Sequence, residues 1–72
     1  MKNSNKNVKK SINNNLEAIM DEYLEILQCF KKTTGKKEEL ECLVFSKVKT
    51  ISICNRVNDI FKDLTVLKYN SK

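Results

Sequence analysis

The residues of this chain that could carry out chemistry are few. It has three cysteines, Cys29, Cys42 and Cys54, and no histidine. The cysteines are odd in number and stand at separations that match no zinc-site spacing. None has a histidine or comparable base with which to act as a nucleophile, so they are expected to be reduced, half-buried thiols of an intracellular protein. Asp21 and Glu25 stand one helical turn apart and could work as paired carboxylates, yet the plainer reading is a solvated acidic helix face. Gly35 is the only glycine, which leaves no glycine-rich phosphate loop, and no acidic cluster is shaped for a metal. A protein without catalysis, metal or cofactor is expected.

What the spacing does support is a helix. Ile12, Leu16, Ile19, Tyr23, Ile26 and Phe30 follow one another at alternating intervals of four and three, the pattern of a coiled-coil seam that no strand can use. Met20, Leu24 and Leu27 lie beside that row and widen it into a broad apolar face. Before it, residues 1–10 hold Lys2, Lys6, Lys9 and Lys10 among asparagines and serine, and read as a flexible basic arm. The first helix is expected over about 11–32, with Lys31 and Lys32 at the end that the helix dipole makes negative. Thr33, Thr34 and Gly35 should stop it in a turn at about 33–36, with Gly35 suited to a left-handed C-terminal cap. So short a link sends the next helix back antiparallel.

The second helix is expected over about 37–68, opening on Glu38, Glu39 and Glu41, and followed by a polar tail at 69–72. Its apolar residues form two rows. Leu40, Val44, Val48 and Ile51 make one; Ile53, Val57, Ile60, Leu64 and Leu67 make the other, flanked by Cys54 and Phe61. Rows pointing in different directions imply more than one neighbour along the helix. The alternation at Ile51, Ser52 and Ile53 is the one local hint of a strand, and the helical pattern on both sides outweighs it.

The expected fold is therefore all-α: an antiparallel helical hairpin, 11–68, that completes a four-helix bundle or coiled coil with a partner hairpin. Two helices touching along one line leave much of each apolar face uncovered, and a 72-residue chain has little else to cover it. The residues expected to meet the partner are Ile12, Leu16, Ile19, Tyr23, Ile26, Phe30, Leu40, Val44, Ile51, Val57, Ile60 and Leu64. No apolar run approaches the ~20 residues of a membrane span, and no apolar segment directly follows the N-terminal lysines as a secretory signal would require.

The net charge of +5 raises nucleic acid as a partner. The charge, however, alternates in blocks along the chain, Arg56 is the only arginine, and no aromatic residues interleave with the basic ones. Direct nucleic-acid contact is thus confined to the basic arm, and a basic homodimeric hairpin that binds nucleic acid stands as an alternative. A hairpin subunit of some other multi-protein complex is another.

The stretch Ile19-Met20-Asp21-Glu22-Tyr23-Leu24-Glu25-Ile26-Leu27 resembles the first-helix segment of Mediator complex subunit 22, the Surfeit locus protein 5 family, and Val57-Asn58-Asp59-Ile60 followed by Leu64 is similar to part of its second helix. The similarity spans most of residues 9–67, with a shorter connection between the helices and nothing long after the second. It implies a nuclear, non-catalytic scaffold subunit that pairs with a hairpin like Mediator subunit 11 in the head module and supports RNA polymerase II transcription. Under that resemblance Ile19, Tyr23, Ile26, Phe30, Val57, Ile60 and Leu64 belong to the shared bundle core.

Overall fold

The computed structural model describes residues 2–71, so Met1 and Lys72, at the tips of the expected arm and tail, lie outside the described residues. Two helices account for nearly all of it: α1, Lys2–Lys32, and α2, Lys36–Asn70, packed against each other as an antiparallel hairpin. The rod they form measures 54 × 14 × 12 Å between Cα extremes, with a radius of gyration of 16.5 Å. A globular chain of this length would have a radius near ~11 Å. The hairpin is one layer of two helices, and no third element of the described residues covers its sides.

Helix α1 starts at Lys2, well before the start near residue 11 that the composition suggests. The reason lies on the other helix: Val8 is half-buried, and Asn70 Nδ2 donates to Asn5 Oδ1 at 2.7 Å. Lys31 and Lys32 occupy the last turn, where the exposed carbonyls favour cations. Thr33 Oγ1 donates to the Phe30 carbonyl at 2.9 Å and so satisfies one of those carbonyls.

Gly35 does not adopt the left-handed cap expected of it. Its φ of −149° and ψ of 166° are extended backbone, and it serves as the N-cap of α2, its carbonyl accepting the Glu39 N–H at 2.9 Å. Glu38 completes this start: its Oε2 accepts from both Thr34 N, at 3.2 Å, and Thr34 Oγ1, at 3.0 Å, much as the acidic arm of a capping box does. A three-residue link closed in this way leaves α1 no room for a separate C-terminal cap. The alternating stretch at Ile51–Ile53 is helical like its flanks.

Which residues face the sibling helix follows from burial. On α1 the line runs through Asn5, Val8, Ile12, Asn15, Ile19, Glu22, Ile26 and Cys29 and continues to Thr33 of the link; on α2 it runs through Cys42, Ser46, Lys49, Ile53, Arg56, Ile60, Asp63 and Leu67. Half-buried Ala18 of α1 and Ser52 of α2 lie beside it. Both rows keep the three-four alternation of a coiled-coil seam. The row read from the greasiest residues agrees with this one at Ile12, Ile19 and Ile26 and departs from it between them, where Asn15, Glu22 and Cys29 take the places of Leu16, Tyr23 and Phe30. About half of the line of contact is polar, and among the described residues Cys42, 1% exposed, is the only buried hydrophobic one.

Candidate interaction surface

A polar line of contact holds only if its members find partners. At the middle of the hairpin Arg56 Nε donates to Glu22 Oε1 at 2.8 Å, Ser52 Oγ donates to the same oxygen at 3.1 Å, and Arg56 Nη1 reaches Asn15 Oδ1 at 3.2 Å. Toward the turn, Lys49 Nζ pairs with Glu25 Oε2 at 3.0 Å and lies 5.5 Å from the centre of the Phe45 ring. The hydrogen bonds from Arg56 and Ser52, aided by the charges of Arg56 and Lys49, hold the Glu22 carboxyl below the usual carboxylate range, while its burial pulls the other way. Its second oxygen, Oε2, is buried and takes no hydrogen bond. Nearer the turn, a hydrogen bond with Cys42, together with burial, pushes the Cys29 thiol above the ordinary thiol range. The three cysteines are free thiols, and among the described residues no group of acidic, cysteine or histidine side chains is placed to hold a metal.

The apolar residues displaced from this line stand one position along the chain from it. On α1 Leu16, Tyr23 and Phe30 follow Asn15, Glu22 and Cys29, while Met20 and Leu27 follow Ile19 and Ile26. On α2 Leu43, Val57 and Leu64 follow Cys42, Arg56 and Asp63, while Cys54 and Phe61 follow Ile53 and Ile60. All ten are exposed, Met20 at 63% and Phe61 at 71%. One residue is a rotation of ~100° about the helix axis, so each helix shows its sibling one row and shows solvent a second row nearly at right angles to the first.

Because the helices are antiparallel and both rows are displaced in the same sense, both fall on the same side of the hairpin. The half-turn that relates two antiparallel helices leaves each side facing the way it did. A groove on this side runs between the helices with a volume of about 440 Å³, lined by Ile19, Met20, Tyr23 and Leu24 of α1 and Ile53 of α2. The opposite side is mixed: Glu25, Gln28 and Lys32 of α1 come there beside Phe45 of α2, and Val66, which like Phe45 stands one position before the inner row, is also exposed.

Of the residues expected to meet a partner, Leu16, Tyr23, Phe30, Leu40, Val44, Ile51, Val57 and Leu64 are exposed, and Ile12, Ile19, Ile26 and Ile60 are half-buried between the helices. Val44 and Ile51 lie further round α2 than Leu43 and Val57, which carries the apolar surface outward on that helix. Met20, Leu43 and Phe61 also belong to the exposed side. The signal that would have placed them is the heptad recurrence of polar residues at Asn15 and Glu22 and at Lys49, Arg56 and Asp63, which marks the inner rows and leaves the next residue outward.

No protein-family model, curated protein or solved structure matches this chain. The surface itself therefore carries the functional argument. A helical hairpin with this many large apolar side chains exposed on one side has the form of a protein-binding element. Among the described residues, no helix is long and apolar enough to cross a membrane.

Proposed function

We propose that this chain is a non-catalytic structural subunit that completes a four-helix bundle with a second helical hairpin laid against its apolar side. The observation that carries the reading is the one-residue displacement between the inner and outer rows on both helices. It sets the two contact directions of each helix ~100° apart, close to the right angle at which a helix in a square bundle meets its two neighbours. A single coiled-coil partner running beside one helix would need the second row on that helix alone.

The likeness of Ile19 to Leu27 and of Val57 to Leu64 to Mediator subunit 22 supports a more specific identity: a nuclear head-module subunit whose partner resembles Mediator subunit 11 and whose work is to support RNA polymerase II transcription. Co-expression with the subunit 11 of the same source, followed by size-exclusion chromatography, tests it. A stoichiometric complex that survives purification is expected. Subunit 11 eluting apart from this chain would end the Mediator assignment, and a complex that still formed after Tyr23→Asp and Phe61→Asp together would end the assignment of the face.

A further inference from the structure

The charges that border the apolar side bear on what covers it. In the displaced rows of α1 and α2 the described positions that are not apolar are Lys6, Lys9, Asn13, Thr34, Lys36, Lys47, Thr50, Lys68 and Ser71, so every charge among them is a lysine. Lys6, Lys9, Lys36, Lys47 and Lys68 are all exposed. Glu17 and Asp21 are the acids one position further outward on α1, with Lys10 and Lys31 in the same row. The other acids lie on the line between the helices, on the opposite side or at the start of α2, where Glu39 shares a surface depression with Lys36, Leu40 and Leu43 and is the one acid beside the border at the turn. Lys6, Lys9 and Lys68 gather at the free end of the hairpin, Lys36 and Lys47 toward the turn. A second copy docked with the same ends together sets each group against itself, and docked the other way it sets one group against the other. Both arrangements oppose lysine to lysine across an apolar contact, where like charges select against pairing.

We propose that the occupant of this side is a different helical hairpin, one whose own apolar stripe is bordered at both ends by aspartate and glutamate, and that the lysine border excludes a second copy of this chain. The inference rests on the bundle reading above and adds the chemistry of the partner. A flat anionic membrane would also attract lysines beside an apolar face. The groove bounded by Ile19, Met20, Tyr23, Leu24 and Ile53 is instead concave and suited to the knobs of a third helix.

A charge-reversed copy of the chain is the probe: Lys6→Glu, Lys9→Glu, Lys36→Glu, Lys47→Glu and Lys68→Glu keep the apolar stripe and change only its border. Sedimentation equilibrium of the parent, the reversed copy and their mixture is compared at low salt and at ~1 M salt, where the screening length falls to ~3 Å. The mixture is expected to form a one-to-one complex at least about tenfold tighter than either protein forms with itself at low salt, with the gap closing at high salt. Parent chain that self-associates at low salt as tightly as it binds the reversed copy would overturn the border's role and identify the occupant as a second copy. Absence of association in every combination at both salts would instead overturn the bundle reading. Parent chain that floats with phosphatidylserine vesicles while ignoring the reversed copy would assign the side to a membrane surface. If the fivefold variant is not helical by circular dichroism, the Lys47→Glu, Lys68→Glu copy serves as probe, with the same order of affinities and a smaller gap.

Discussion

Replacing Phe61 by alanine separates the two faces of α2. In the hairpin this ring is 71% exposed. Full burial of a phenylalanine is worth at most ~3 kcal/mol, so truncation takes about 1 kcal/mol or less from the isolated chain, and alanine's better helix propensity, about 0.5 kcal/mol, offsets part of that. A partner that covers the remaining surface would lose about 2 kcal/mol, or roughly 30-fold in Kd. Ile53→Ala does the reverse. Ile53 is half-buried between the helices, and since Ile→Ala costs ~2–5 kcal/mol at a fully buried site, about 1–2 kcal/mol of hairpin stability should go with it. Melting of each purified variant, followed by circular dichroism at low concentration, reads the first quantity. Competition of each variant with labelled parent chain for the co-purified partner reads the second. The assignment of faces fails if Phe61→Ala lowers the melting midpoint as far as Ile53→Ala, or if it competes for the partner as well as the parent does.

Other substitutions probe the turn, the polar line and the thiols. A Cβ at Gly35 meets nothing within 4 Å and its backbone is extended, so Gly35→Ser should raise stability by about 0.5–1 kcal/mol through a less flexible unfolded chain and a side-chain cap, visible as a higher melting midpoint; a lower midpoint would mean that the link is conformationally strained. The carboxyl of Glu22 titrates below its unfolded value, so its contribution is complete above the ordinary glutamate range and is lost as pH falls through the lowered value. The melting midpoint of the parent should accordingly fall with acidification more steeply than that of Glu22→Gln, and equal slopes would show that the Arg56 bond does not form in solution. The Cys29 thiol is raised, so its contribution is present below the ordinary thiol range and is lost as pH rises through the raised value. Iodoacetamide at mildly alkaline pH should therefore modify exposed Cys54 well ahead of Cys29 and buried Cys42, as mass spectrometry of digests would show, and equal rates would contradict the packing beside the turn.

The helices, their antiparallel return and the shortage of cover for their apolar faces were all legible in the sequence, because period and link length decide them. The phase of the contact was not. A row of Ile12, Leu16, Ile19, Tyr23, Ile26 and Phe30 is spaced as a seam, and so is the row with Asn15, Glu22 and Cys29 at the alternate places; periodicity alone does not say which of two adjacent rows a sibling helix takes. Only the opposite helix decides, by offering Arg56 to Glu22 and Asn15 and Lys49 to Glu25. Gly35 misled for a related reason. Glycine after a helix suggests a left-handed end, but the next helix begins at once and takes the residue as its own cap.

The polar line and the apolar side are two parts of one arrangement. A hairpin closed by its greasiest rows would be more stable alone and would leave a partner nothing but the polar rows to hold. Here the rows that meet inside carry polar groups that pair across the hairpin: Asn5 with Asn70 at the free end, Arg56 with Glu22 and Asn15 at the centre, and Lys49 with the flanking Glu25 toward the turn. Directional pairs of this kind oppose slippage of one helix past the other more strongly than interchangeable aliphatic contacts do. Register matters to the outside because the two displaced rows form one surface only while Leu16 stays level with Val57, Phe30 with Leu43, and Tyr23 beside Ile53. A slip of three or four residues along α2 keeps a seam-like spacing within but carries its outer row past the α1 groove residues that Ile53 now faces. The cost of a polar interior is a hairpin with little apolar burial of its own, and the return is an apolar side held in one shape, which a second hairpin can cover without first having to order it.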